Sequence, residues 1–493
     1  LIVVCIVGYF MAFRAFRANK ISRALLFIIL CGLLLRIYSS TDLYLHSWDE
    51  RYHALVAKNM ITHPFTPTLR ENPVLPYNYQ DWPGNHIWLH KQPFPLWMMA
   101  SSMWLFGIHE FALRLPSLIL SILGIFLTFS IARRLYDARV GLLAAFFFSI
   151  HGLIVELSGG RVATDHYDLF FLVLIELAIW FSFRFSENKK LIFNILAAVL
   201  LGFAILTKWL PALIVLPLWY IIIHYSKRFT LQETLLNFFL LILTMVLVAL
   251  PWQIYISHAF PLEYQWESHL NRLHLIQVIE GREGPFYYHL DHLRIQYGEL
   301  IYIPLVWFFC KLFKKRRNRA RLLLVTWIIL PLVFFSLVTT KMQAYTLFTA
   351  PAIFIITALF CVYLDRYLSR FKYKWMIALL VILLIGLPIR YSIERIKPFS
   401  VQERNPLWAR ELRQLNDKKY PEGTILFNTK YPVEAMFYTH LNAYPSLPDQ
   451  TTLEILLHDG HQVLVCWDGK KDFSRLKSIG AELVVLPEQL ERK

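Results

Sequence analysis

Acid is scarce in this chain. Asp and Glu number 34 against 50 Lys and Arg in 493 residues, charged residues make up 17% of the sequence, and the formal net charge is +16. Cysteine is scarcer still. The five, Cys5, Cys31, Cys310, Cys361 and Cys466, follow no spacing that suggests a metal knot or a disulfide framework. No glycine-rich phosphate loop occurs, so nothing marks a nucleotide site, and no H-E-x-x-H pair marks a metal site. The positive excess alone would suit nucleic acid, but Lys and Arg stand in short clusters between apolar runs, as membrane orientation signals do. Nucleic acid is therefore set aside as a partner.

What is abundant is apolar surface, at 57% hydrophobic and 16% aromatic residues. That composition turns a length of about three soluble domains into a polytopic membrane protein with small soluble parts. Leu1 to Phe13 is apolar but too short to span, and reads equally as part of a helix or of a signal anchor. Arg14, Arg17, Lys20 and Arg23 precede a span from Ile21 to Tyr38, which the positive-inside rule runs outward. Further spans are expected at Leu113 to Ile131, Gly141 to Ser158, Tyr167 to Phe185, Leu191 to Thr207, Leu210 to Tyr225, Leu235 to Ile256, Gly298 to Phe313, Leu322 to Val338, Tyr345 to Leu364 and Trp375 to Tyr391. That makes about eleven crossings, and every second connection is basic, so the basic ones lie in the cytoplasm and the others outside. The polar stretch from Ser39 to about Lys91 is too long for an ordinary connection and marks a functional loop, with Phe94 to Phe106 lying in the interface. After Tyr391 about a hundred mixed residues follow. Thr424 to Asn428, Val463 to Trp467 and Glu482 to Leu486 read as strands, with helical patterns at Val433 to Thr439, Thr452 to His458 and Phe473 to Ile479. The chain thus divides into an apolar segment 1–13, a transmembrane domain 14–392 containing the outer loop 39–106, and an outer α/β domain 393–493.

Several outer stretches carry chemistry-bearing residues. Asp49 and Glu50 open the long loop between Trp48 and Tyr52, as a solvated helix start or as carboxylates held at the bilayer surface. Lys91, in His90-Lys91-Gln92-Pro93, reads as a phosphate contact or a snorkelling anchor. Arg161 and Asp165, four residues apart, either satisfy each other or orient a substrate, and Glu176 is a functional candidate or a helix-packing hydrogen bond. Arg282, between Gly281 and Gly284, suits bidentate phosphate recognition. Lys208 and Lys341 at outer helix ends read, each alone, as snorkelling lysines. Together these stretches place an acidic group and several cations on one membrane face, which suits an anionic lipid donor better than an ion path.

At these residues a resemblance enters. Asp49-Glu50-Arg51-Tyr52, Lys91 to Leu96, Arg114-Leu115-Pro116-Ser117, Ala132 to Tyr136, Arg161 with Thr164-Asp165, Leu206-Thr207-Lys208, Leu250-Pro251-Trp252, Gly284 to Tyr288 and Lys341 with Tyr345 and Pro351 resemble the protein mannosyltransferase-like glycosyltransferases, and among them the bacterial aminoarabinose transferases that modify lipid A. The resemblance covers roughly residues 20 to 390. It implies a GT-C fold of 11–13 transmembrane helices with the small C-terminal α/β domain. It also implies transfer of a sugar, with inversion, from a polyprenyl-phosphate donor to a lipid or protein acceptor on the periplasmic side of the bacterial inner membrane. Asp49 and Asp165 would be the catalytic carboxylates. Glu50, Arg51, Tyr52, Lys91, Arg161, Lys208, Arg282, Lys341 and Tyr345 would line the donor-phosphate and substrate site. No cofactor is required, and a divalent metal stays open. Protein O-mannosyltransfer and a lipid-linked sugar flippase are the rival readings. The C-terminal domain is expected to pack beside the cavity and help choose the acceptor.

Overall fold

The computed structural model describes residues 1–163, 165–314, 318–367, 372–399, 403–467 and 480–486. Among them eight helices are long and apolar enough to cross a membrane: Ile21–Ser40, Glu110–Leu135, His166–Asn188, Leu191–Lys208, Leu231–Ala259, Arg319–Leu337, Gln343–Tyr367 and Lys374–Ile396. Each covers a span expected from the sequence, to within one residue at Val338. A ninth expected span is two helices, Ala138–Ile150 and Gly152–Ser158, meeting at a 56° bend. The remaining two are shorter, with a 3₁₀ turn at Leu210–Ile214 running into Val215–Ser226, and Tyr302–Lys314. Pro93–Phe106 has 14 residues, about 21 Å of helix, which falls short of a hydrocarbon core of about 30 Å.

Contacts divide the chain into two units. The first, Leu1–Ser40 with Lys91–Pro95 and Arg114–Ser400, holds all the crossing helices except the first turn of Glu110–Leu135. The bend at His151 leaves helix-end carbonyls inside it, and Arg36, fully buried on Ile21–Ser40, donates to the oxygens of Ser149 (2.9 Å) and Phe148 (3.3 Å) and to Ser121 Oγ (2.5 Å). A buried cation in a span is expensive unless so surrounded. Gly159 lets the end of Gly152–Ser158 approach Ser39, since a Cβ there would lie 2.4 Å from the Ser39 oxygen. Glu176 accepts from Thr128 Oγ1 at 2.6 Å across two fully buried helix faces, the packing bond that membrane helices use.

The second unit joins the outer loop, Thr41–His90, and Leu96–Leu113 to the C-terminal region, Val401–Lys493. Its parallel sheet has the order β2-β1-β3-β4, with β1 at Ile425–Phe427, β2 at Asn442–Ala443, β3 at Val463–Cys466 and β4 at Glu482–Val484. Three of these lie in the expected strands, and the two-residue β2 carries too little pattern to read. Helices Pro432–Tyr438 and Gln450–His458 lie where the pattern puts them, Leu407–Asp417 is additional, and the expected helix Phe473 to Ile479 lies outside the described residues. Val74 and Leu75 of the outer loop pack on the core of Ile425, Phe427, Leu453 and Val465, and both backbone N–H groups donate to the Tyr444 hydroxyl, at 3.0 and 3.3 Å.

Candidate active site

In the first unit Lys91, Lys208 and Arg282 act on Tyr345, which lies in the 3₁₀ turn Gln343–Thr349 before the buried helix Ala350–Tyr367. Lys208 ends Leu191–Lys208, forms an ion pair with the buried Asp168, and places its ammonium 5.2 Å from the centre of the Tyr345 ring. Lys91, Asp168, Arg282 and Glu280 all act electrostatically on the Tyr345 hydroxyl. Next to Lys91, the Gln92 carbonyl accepts from the Tyr167 hydroxyl (2.7 Å) and its side chain from Gln253 (2.8 Å), which fixes the segment that carries the lysine. Pro93 then opens a helix, where its missing N–H costs nothing.

Arg282 lies on a turn in which Glu280 and Gly281 both have positive φ, and Glu280 pairs with it at 3.4 Å. The turn is tied to the segment after Arg319–Leu337. The N–H groups of Thr339 and Lys341 donate to the oxygens of Leu275 (3.1 Å) and Arg282 (2.9 Å). Lys341 itself is buried, and its ammonium donates to the carbonyls of Phe335, Ser336 and Val338 at 3.0, 2.7 and 2.5 Å. It caps a helix C-terminus, and burial lowers its pKa. Beside it stands His289, buried, with neither ring nitrogen hydrogen-bonded among the described residues. Burial first, then Lys341 and His292, push its pKa down to about 4. Arg161 lies half-buried before the helix Asp165–Asn188; the Asp165 backbone opens that helix, and its side chain and Thr164 lie outside the described residues.

In the second unit, Asp49 and Glu50 open the helix Asp49–Asn59, where the helix dipole favours negative charge. Asp49 is half-buried, directly after Trp48, whose φ of 77° is an uncommon conformation for a large side chain. Glu50 is fully buried and accepts from the His46 N–H at 2.7 Å, a structural bond that fastens the loop to the helix start. Arg51 pairs with the buried Glu434 at 3.3 Å and lies over the Tyr52 ring. Tyr52 packs edge-on to Trp82, which stacks on His90 at 4.5 Å. Burial raises the Tyr52 pKa, with Arg51 opposing it, and burial raises that of Glu434. Among the described residues no group of three or more His, Cys, Asp or Glu is arranged to hold a metal.

The sequence singled out Lys208 without its partner Asp168; a carboxylate three residues after Asp165 is the signal that was there to follow. It missed Glu434 and Arg36, whose partners are hundreds or a hundred residues away.

Known proteins resemble this chain in sequence and in fold. The model of the dolichyl-phosphate-mannose-protein mannosyltransferase family matches residues 90–254, about a third of the chain. An undecaprenyl phosphate-alpha-4-amino-4-deoxy-L-arabinose arabinosyl transferase of Pseudomonas aeruginosa is 29% identical over 285 residues, covering 54% of this chain and 49% of that protein. One from Pseudomonas fluorescens is 30% identical over 264 residues, covering 51% and 46%. The chain thus spans about half the length of the curated relatives it matches. Among solved structures, ArnT from Cupriavidus metallidurans bound to undecaprenyl phosphate superposes with a TM-score of 0.61 at 16% identity, over 93% of this chain and 89% of that one. The Archaeoglobus fulgidus oligosaccharyltransferase superposes with a TM-score of 0.55 at 14% identity, over 87% and 65%. The chain is a multi-pass membrane protein of the GT-C fold, similar in sequence to the protein mannosyltransferase-like glycosyltransferases and, among them, to the aminoarabinose transferases.

Proposed function

We propose that this chain transfers a sugar from a polyprenyl-phosphate donor to a lipid A-like lipid of the cell envelope, on the periplasmic side of the bacterial inner membrane. The observation that carries the reading is the grouping of Lys91, Lys208 and Arg282 around Tyr345 at the ends of membrane helices, in a chain whose relatives act on undecaprenyl-phosphate sugars. Such a donor is already activated. The bond from the anomeric carbon to the phosphate oxygen breaks, polyprenyl phosphate leaves with the electron pair, and cations stabilise the charge that develops on it. Lys91 and Arg282 are the phosphate contacts in this reading, Lys208 is held by Asp168, and Tyr345 donates its hydroxyl. Lys341 positions the Arg282 turn through its backbone.

Asp49 is the carboxylate that takes the acceptor proton as the new glycosidic bond forms, or that orients the acceptor where the nucleophile is already a phosphate oxygen. Asp165 is the second carboxylate of the reading. No cofactor enters these steps. The bend at His151 is not a transporter's broken helix on this account, because Arg36 takes up the carbonyls it frees.

The test is transfer of label from a polyprenyl-phosphate sugar pool in inverted and right-side-out membranes carrying the chain. Label in the lipid A fraction supports the reading. Label in protein only replaces the acceptor class with protein, and label crossing the membrane without covalent transfer makes the chain a flippase.

A further inference from the structure

At the other end of the first unit, a cavity of about 200 Å³ opens between Tyr136, the helix Tyr302–Lys314 and the end of Ala350–Tyr367. A single water needs only about 10–15 Å³ by this kind of measure. Among the described residues three cations line the cavity, Lys311, Arg321 and Arg366, and no carboxylate does. The Lys311 ammonium sits 3.8 Å from the centre of the Tyr363 ring and 4.5 Å from that of Trp307, an aromatic cage that fixes a cation in place. Arg321 is oriented by its bond to the Lys311 carbonyl at 2.9 Å. Arg366 meets Asp137 at 2.6 Å, but that same carboxylate also accepts from the N–H groups of Arg139 and Val140, so its charge is shared with a helix start.

Two of the residues that line this cavity carry further donors. The Tyr136 hydroxyl and the Trp307 indole N–H are buried and have no hydrogen-bond partner among the described residues. A buried donor without an acceptor costs free energy that a bound anion's oxygens would recover. The charge pattern of the connections puts this end in the cytoplasm, where anionic lipids attract basic clusters.

We propose that this cavity binds a phosphate-bearing anion, supplied by the headgroup of an anionic phospholipid of the cytoplasmic leaflet, with Lys311, Arg321 and Arg366 meeting its charge and Tyr136 and Trp307 donating to its oxygens. The site lies apart from the cations around Tyr345 and does not depend on the transferase reading. Lipid bound here would brace the ends of Glu110–Leu135, Tyr302–Lys314 and Ala350–Tyr367.

The test is thermal unfolding and native mass spectrometry of the full chain in detergent, titrated with phosphatidylglycerol, phosphatidylcholine or inorganic phosphate. Phosphatidylglycerol is expected to raise the unfolding temperature and to appear as a bound adduct, while phosphatidylcholine does neither. The double variant Lys311→Gln/Arg321→Gln should weaken that response at least tenfold, at about fivefold per cation. Tyr136→Phe removes one hydroxyl and no charge, keeps the helices intact and should still weaken it several-fold. Equal responses to the two lipids, or a Tyr136→Phe titration that matches wild type, would overturn the proposal. A shift produced by inorganic phosphate that phosphatidylglycerol does not exceed would overturn the lipid source and assign the cavity to a soluble phosphate.

Discussion

Lys341 and Lys208 use their charge in opposite ways. Lys341 gives its three N–H bonds to helix-end carbonyls, so Lys341→Met should cost about 2–3 kcal/mol, read as a lower unfolding temperature, with donor affinity following only through the Arg282 turn. Lys208→Met removes the cation that faces the buried Asp168 and lies over Tyr345. It should reduce transfer at least about a hundredfold, and adding Asp168→Asn should restore stability without restoring activity. His289 offers a pH signature. Its folded pKa, about 4, lies below the ordinary value near 6.5, so the unfolded chain binds more protons between those limits. The stability that His289 contributes is complete above about pH 6.5 and is lost as pH falls through 4. His289→Phe should therefore flatten the acid limb of an unfolding-temperature profile between pH 6.5 and 4, and an unchanged limb would show that the ring is hydrated.

The helix Asp49–Asn59 and the loop leading into it are gripped at several points by the C-terminal region of their own unit. Arg404 meets Asp42 at 2.9 Å, the Leu45 N–H donates to the Tyr438 hydroxyl at 3.1 Å, and Arg51 pairs with Glu434. Lys58 donates to the carbonyls of Met436, Phe437 and Thr439 at 2.6–3.0 Å, at the end of Pro432–Tyr438. Glu434→Gln or Lys58→Met should each destabilise this unit by about 1–2 kcal/mol and lower transfer about tenfold on every acceptor. The pair Arg51→Glu with Glu434→Arg should recover part of what either change loses. Uniform loss across acceptors would make the C-terminal region a holder of the acidic helix, whereas loss on one acceptor alone would make it a selector. Little of this was legible in the sequence, because Arg51 and Glu434 are 383 residues apart and each alone reads as a surface charge. The membrane helices were legible, since a run of about 18 apolar residues has few other uses. The exceptions have local causes. The bend at His151 depends on Arg36, which meets carbonyls more than a hundred residues away. The role of Lys341 could have been read, because a lysine just past a helix end is a known way to satisfy last-turn carbonyls.

At the scale of the molecule, the proposed topology puts the basic connections inside and the others outside, so single cysteines placed at Lys227 and at Arg161 should be labelled by a membrane-impermeant maleimide only from opposite sides; labelling of both from one side would break that topology. The most direct test compares wild type, Asp49→Asn and Lys91→Ala for transfer of label from a polyprenyl-phosphate sugar to lipid, each variant first matched to wild type in unfolding temperature. Asp49→Asn is expected to bind polyprenyl phosphate still but to lose transfer by at least about a hundredfold, while Lys91→Ala loses binding as well. Transfer by Asp49→Asn at the wild-type rate would remove Asp49 from the chemistry.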